Sequence, residues 1–422
     1  MPIVAGLPFL TLSDPLTSGE GKLDPLGLSA IGDRLAEEIL PGLRARMSRP
    51  RFLTAIAVAS AVCDGLEYQV ASDHVTIAPT VFEWLLVEAF VRCGDRSRTL
   101  TTPGTGKAQA AKESGEPMCA RTYLRIPTVF GFHGIYKPIA KHLNIVDDDL
   151  RLADNGYALL KVWQTERDLS GFLESSVEPG DGKSVRQSLR SAVDDGLKSG
   201  YSRRSAAWQG WADLAAHLSP GDVGKREGAF MHRLFSGNEE NSGEIFRLLE
   251  STPPSDASEA EIVEEILLPK ASATLRGKLK AIQRFEELAT LLEDAFDWAC
   301  YLSATAGARA ITASDYAREP STTRIAAALL SAFQRAESAL HDATPAMQER
   351  LTDLSELFNH VRTSEDLFDA VLLHHSKVQK NKKPSGKRDW FERAPDGATF
   401  VRPPYRLTEP PAKGRAWNRP YR

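Results

Sequence analysis

The chain has 422 residues, 42% of them hydrophobic and 26% charged, with a formal net charge of −4. That length suits two or three domains, each with its own core, and the composition is ordinary for a globular protein. No run reaches the roughly 18 to 20 apolar residues of a membrane span, and Met1-Pro2-Ile3-Val4 lacks the basic start of a secretory signal, so the sequence points to a cytoplasmic protein. The first 28 residues are rich in Pro, Gly, Leu and Ser and read as an extended arm. Helical spacing begins near Ser29, where Ile31, Leu35, Ile39 and Leu40 share a face ahead of Pro41-Gly42. A second helix is expected over 50–64, with Ser48 as N-cap and Pro50 in the first turn, where its missing N–H costs nothing. Its apolar stretch of Ala and Val marks a buried core helix. A third, over 79–93, turns Phe82, Leu85, Leu86, Ala89 and Phe90 inward and stops at Gly94. Residues 95–117, rich in Thr, Gly and Lys, read as an exposed loop or charged hairpin.

Residues 123–163 carry a more specific pattern. A short helix over 134–143 sets Ile135, Ile139 and Leu143 inward and Lys137, Lys141 and His142 outward, with Pro138 near its start. After a turn, Leu150-Arg151-Leu152 alternates like a strand, and Ala153-Asp154-Asn155-Gly156 opens a helix carrying Leu159, Leu160, Val162 and Trp163. This order resembles the end of winged helix-turn-helix domains, where a wing strand leads into an L-[ST]-x-x-G-x-x-L-L helix start. Leu152 to Leu160 matches it except at Ala153, which replaces the usual Ser or Thr, so that Asp154 has to cap. The resemblance spans 79–163 and implies a DNA contact through Lys137, Lys141 and Arg151, or the docking of a protein partner, a common second use of the fold. Seven basic and six acidic residues between 121 and 170 are a more even balance than a strong DNA reader shows, so both uses stay open.

Between 167 and 225 the helical pattern is broken by glycines, and 236–258, rich in Ser, Glu, Asn and Pro, reads as a linker or surface loop. Beyond it Leu275, Leu279, Ile282, Phe285, Leu288, Leu292 and Phe296 recur every three or four residues. Stripes through Ile325–Leu340, Met347–Val361 and 367–372 repeat that spacing, and short polar links imply an antiparallel bundle over 259–376.

After Ser376 the charge changes sign. The last 46 residues hold 13 Lys and Arg against 4 Asp and Glu, a balance of +9 on a body at −13. Lys380, Lys382, Lys383, Lys387 and Arg388 form a run, followed by Trp390, Arg402, Tyr405, Arg406, Arg415 and Trp417. Cations interleaved with rings suit a nucleic-acid strand, on phosphates and bases respectively. The same rings would equally pin an extended tail across the acidic body, or dock another protein. Arg44, Arg46, Arg49 and Arg51 would extend a basic surface, or lie solvated near a helix start.

Catalytic signatures are missing from the sequence. Pro103-Gly104-Thr105-Gly106-Lys107 has Thr101 where a phosphate loop needs its first glycine, and Ala108 follows the lysine. His375-Ser376-Lys377 starts an HxK motif that Lys382 fails to complete. The adjacent His374 and His375 diverge by about 100° on a helix, which is poor for sharing a metal. Cys63, Cys93, Cys119 and Cys300 include no CxxC pair and read as reduced thiols. No cofactor or metal is implied. The expected fold is mainly α: an arm (1–28), a helical domain (29–235) holding the winged-helix-like segment, a linker (236–258), a bundle (259–376) and an extended basic tail (377–422). The expected function is that of a non-catalytic DNA-binding or DNA-scaffolding subunit working with other proteins, and a bacterial phage-defence or mobile-element complex would suit it. The alternatives are a protein–protein adaptor and an enzyme with a dispersed site.

Overall fold

Helices form wherever apolar residues recur at three- and four-residue spacing, and they account for most of the chain. The computed structural model describes residues 24–44, 46–93, 102–173, 181–202, 204–237, 241–252, 257–305, 310–341, 345–382 and 386–411. The chain divides into two compact units, one of Leu40–Arg247 and one joining Met1–Ile39 to Leu248–Arg422. No described helix is long and apolar enough to cross a membrane.

The Leu40–Arg247 unit is built around two helices, α2 (Phe52–Cys63) and α3 (Ala78–Cys93), whose sides are buried almost all round. Around them pack α4 (Thr105–Ser114), the short α5 (Pro127–Phe130), α6 (Phe132–His142), α7 (Asp154–Glu166), α8 (Asp181–Ser199), α9 (Gly210–Leu218) and α10 (Lys225–Ser236). Helix α4 falls where a loop or hairpin is expected. Ala108 and Ala111, one turn apart, are buried, and left-handed glycines at 104 and 115 bound the helix. Alanine packs a helix face tightly yet adds little to an apolar pattern, so that face escapes sequence reading. A buried ion pair ties α10 to the start of α2. Arg51 lies 3.2 Å from Glu227, which also accepts from Thr54 Oγ1 at 2.5 Å, while Arg51 Nη2 reaches His217 O at 2.5 Å. Arg51 thus belongs to the core and not to a solvated cluster.

The turn between α6 and α7 is tighter than a wing strand. Leu150 takes φ +63°, Asp147 Oδ1 accepts from the amides of Asp149 and Arg151, and only the bridge between Val146 and Leu152 is strand-like. Asp154 does not cap α7. Ala153 stands at the cap without a side-chain bond, and Asn155 Nδ2 donates to Leu143 O at 2.8 Å. Gly156 is required because any Cβ there would collide with Ile145 O. The stretch expected to be a linker contains α11 (Asn241–Ser251), which buries Ile245 and sets Phe246 against Phe235 and His232.

The other unit gathers α1 (Ser29–Ile39) with a set of helices from the second half of the chain. These are α12 (Glu259–Glu261), a π-helical turn (Ile262–Leu267), α13 (Leu268–Lys270), α14 (Ala273–Thr305), α15 (Ala313–Ala317), α16 (Pro320–Ala339), α17 (Pro345–Phe358) and α18 (Ser364–Asn381). Capping boxes at Ser258, Thr312 and Thr363 start three of them. Helix α1 does not join the helical domain expected over 29–235. Instead Leu26, Leu28, Ile31 and Leu35 share one core with Phe285, Leu288 and Leu292 of α14, and Lys278 Nζ donates to Glu38 O at 3.1 Å. The amphipathic stripe of α1 fixes which face is buried, and nothing in it names the partner.

Residues 377–381 belong to α18, and the 386–411 segment is folded rather than extended. Strands β1 (Phe391–Arg393) and β2 (Thr399–Val401) pair antiparallel, with Phe391 opposite Val401. Thr399 exchanges both backbone bonds with Ile311, and Ser303 Oγ accepts from Val401 N at 2.8 Å. The link around 342–344 lies outside the described residues.

Candidate nucleic-acid interface

Two segments far apart in sequence, 40–63 and 117–146, contain no Asp or Glu. The fold packs them together. Phe52 of α2 stacks on Phe132 at 5.1 Å and meets Tyr136 at 5.2 Å. Arg49 N donates to Tyr136 Oη at 2.8 Å. Gly42, at φ +71°, lies so near α6 that a Cβ would sit 2.6 Å from the Pro138 carbonyl carbon. Gly42 thus lies against Pro138 of α6, and the Arg46 guanidinium lies 5.4 Å from the ring centroid of Phe130 in α5.

Buried polar groups fix the start of α6 beneath this surface. Glu83 of α3, 1% exposed, accepts from Tyr123 Oη at 2.5 Å and from His133 N at 3.1 Å. Gly131 leaves it room, since a Cβ there would strike the carboxylate. Burial pushes the Glu83 carboxyl up to about 7, against the pull of Tyr123 and the amides of His133 and Phe132. Burial and the nearby charge of Lys137 hold the His133 ring down at about 3. Its Nδ1 is buried without a hydrogen-bond partner, so the neutral imidazole is the form this core accepts.

Above this base the surface is apolar at its centre and basic at its edge. Ile126, Val129 and Phe130 are 46%, 52% and 43% exposed. Arg44, Arg46 and Arg125 are exposed, and Lys137 is half-buried. Among the described residues Arg46, Arg125 and Lys137 enter no ion pair, whereas Arg121 is paired with Glu116 at 3.0 Å.

Of the three residues singled out by the winged-helix resemblance, only Lys137 keeps an uncommitted charge. Lys141 Nζ lies 2.9 Å from Asp148 Oδ1 and 3.1 Å from Asp148 O. Arg151 donates to Tyr68 Oη at 3.0 Å, covers the Tyr68 ring and sits 3.8 Å from Glu67.

The tail residues fare differently. Trp390 and Tyr405 stack in parallel at 4.2 Å, 7% and 2% exposed, beside His375 and Phe296. Arg402, fully buried, lies over Tyr405 and donates to Asp389 O at 3.3 Å. Base stacking on these rings and phosphate pairing at Arg402 are ruled out in this fold, because packing has already covered them. Lys382 donates to Asp24 O at 2.9 Å, Arg388 is paired with Glu392, and Arg406 Nε reaches Val401 O at 3.1 Å. Lys387 is half-buried and Lys380 is exposed. Lys383, Arg415 and Trp417 lie outside the described residues. The two adjacent histidines are structural. His374 Nε2 bonds Leu26 O at 2.7 Å, and His375 bonds Pro25 O through Nδ1 at 2.9 Å while Nε2 accepts from Trp390 N at 3.0 Å. That pattern makes His375 neutral, with its proton on Nδ1, and burial holds it down at about 4.

Phe130 and Arg125 were not singled out by sequence. The available signal was the absence of carboxylates from 117–146, joined to an apolar triplet too short to make a core stripe. Among the described residues no cluster of His, Cys, Asp and Glu is arranged to hold a metal. No protein-family model, curated protein or solved structure matches the chain.

Proposed function

We propose that this chain is a non-catalytic nucleic-acid-binding subunit of a larger complex, and that its winged-helix-like segment binds through Arg125 and Lys137 together with Arg46 from the preceding loop. One observation carries the reading: the packing of two carboxylate-free segments, which brings Arg46 of one over the exposed Phe130 ring of the other. Such a surface attracts polyanions without the repulsion that Asp147–Asp149 impose beyond α6. The charge on the 377–422 tail contributes less, because much of its described part is paired or buried.

Binding of the full chain to nucleic acid at several salt concentrations tests this. Three phosphate contacts give a slope of log K against log salt near −0.9 × 3, or about −2.7, on a duplex and near −0.7 × 3, or about −2.1, on a single strand. Reversing Arg46, Arg125 and Lys137 together should abolish binding and leave the circular dichroism spectrum unchanged. Binding that survives this triple variant would refute the assignment. The adaptor reading is favoured by the same apolar tip, since Ile126, Val129 and Phe130 would anchor a protein partner equally well. It predicts no salt-dependent nucleic-acid binding at all.

A further inference from the structure

Resting on that nucleic-acid reading, we infer that the surface takes a single strand, with an unpaired base stacked on the Phe130 ring. A duplex presents phosphates outward and keeps its base faces covered. Docking it here would bury Ile126, Val129 and Phe130, three exposed apolar side chains, against a charged backbone with nothing to match them. An unpaired base offers an apolar π-face, and rings on a basic surface are how strand-binding sites engage such bases. Arg46 lies over the Phe130 ring, so the base meets a ring and guanidinium pair, both of which stack on nucleobases. Arg125, five residues before Phe130, and Lys137, seven residues after it, are the cations assigned to the phosphates on either side of the stacked nucleotide.

Helix α6 is poorly equipped for the alternative of reading a major groove. Pro138 interrupts its middle where Gly42 packs against it, and Lys141 is held by Asp148, which leaves few side chains to pair with base edges. The ring is also presented from a fixed backbone. Phe130 N donates to Ile126 O at 3.0 Å and Gly131 N to Pro127 O at 2.9 Å, while Glu83 holds the start of α6. Little ordering is therefore required on binding.

The test compares an oligothymidylate of about 16 nucleotides, an oligouridylate of equal length and a duplex of equal length, each titrated against the full chain by fluorescence anisotropy. The strands should bind at least about 10-fold tighter than the duplex, and Phe130→Ala should weaken strand binding on the order of 10-fold without changing the salt slope. Phe130→Trp should keep strand affinity, with indole fluorescence quenched by the strands and not by polyphosphate. Equal or tighter duplex binding, or a Phe130→Ala chain that binds strands as the parent does, would overturn the stacking inference and leave the polyanion reading standing. A folded chain that binds neither strand nor duplex at low salt, or that sediments only with phosphatidylserine vesicles, would remove both. Preference between thymidylate and uridylate identifies which nucleic acid the site favours.

Discussion

The 386–411 hairpin and the α5–α6 surface are made of the same materials, arginines and lysines alternating with rings, and they meet opposite fates. In the hairpin, Trp390 and Tyr405 stack on each other, His375 accepts from the Trp390 amide, and Arg388 and Arg393 find Glu392 and Asp369. Around α6, Phe130 stays in solvent, and no carboxylate is contributed by 40–63 or 117–146. The difference lies in what the surroundings supply. Where the neighbouring helices offer apolar surface and carboxylates, a basic aromatic segment folds onto its own protein. Where they offer neither, its charge and its ring stay open to a partner.

The sharpest way to break this contrast is to remove the hairpin. Truncation after Asn381 would expose Phe296, His375 and the α14 surface around Ser303, so the Leu248–Arg422 part should fail to give a cooperative unfolding transition. A truncated chain that unfolds like the parent would show that the hairpin is a removable appendage. Trp390→Ala is milder and should cost about 3–5 kcal/mol by chemical denaturation, the usual penalty for emptying a buried aromatic site. Arg51→Ala, which strands Glu227 without its cation, should cost about the same. Arg46→Ala, five residues away, should leave the unfolding midpoint alone and weaken only binding. That pair of results would divide one basic cluster into a core residue and a surface residue.

Smaller effects follow from the titration of buried groups, Glu83 and His133 beneath the interface and His375 in the other unit. Glu83 rises from 4.5 to about 7 on folding, so between those values the folded chain keeps a proton that the unfolded chain has lost. Its stabilising contribution is complete below pH 4.5 and is lost as pH rises towards 7. His133 and His375 fall from 6.5 to about 3 and about 4, and their contribution is present above pH 6.5 and lost as pH falls. Glu83→Gln removes the first effect, so stability of that variant should climb more steeply with pH between 4.5 and 6.5. An unchanged profile would mean that Glu83 is ionised throughout. The smallest change belongs to Lys380→Glu, on the exposed end of α18, which should barely alter nucleic-acid affinity next to Lys137→Glu.

Much of the fold was legible in sequence because it is local. The stripes of α1, α14, α16 and α18 and the uniformly apolar α2 follow from spacing within one turn or a few. The two places where helices replaced expected loops, α4 and α11, lack that redundancy. Alanines in α4, and a short apolar group in α11 set among Ser, Asn and Glu, give weak patterns that packing completes. Of the candidate site, Lys137 and the arginines near 44–49 were visible as charges. The relation of those arginines to Phe130 was not, because about 80 residues of chain separate them.

The sequence by itself determined a mainly helical protein, its principal stripes, and an uneven distribution of charge. Tertiary structure alone decided that α1 joins the C-terminal helices, that Arg51 and Arg402 are core residues, and that Trp390 is covered while Phe130 is not. Periodicity encodes which face of a helix avoids water, but burial and ion pairing depend on which distant surfaces arrive beside a residue, and that is set only when the whole chain packs.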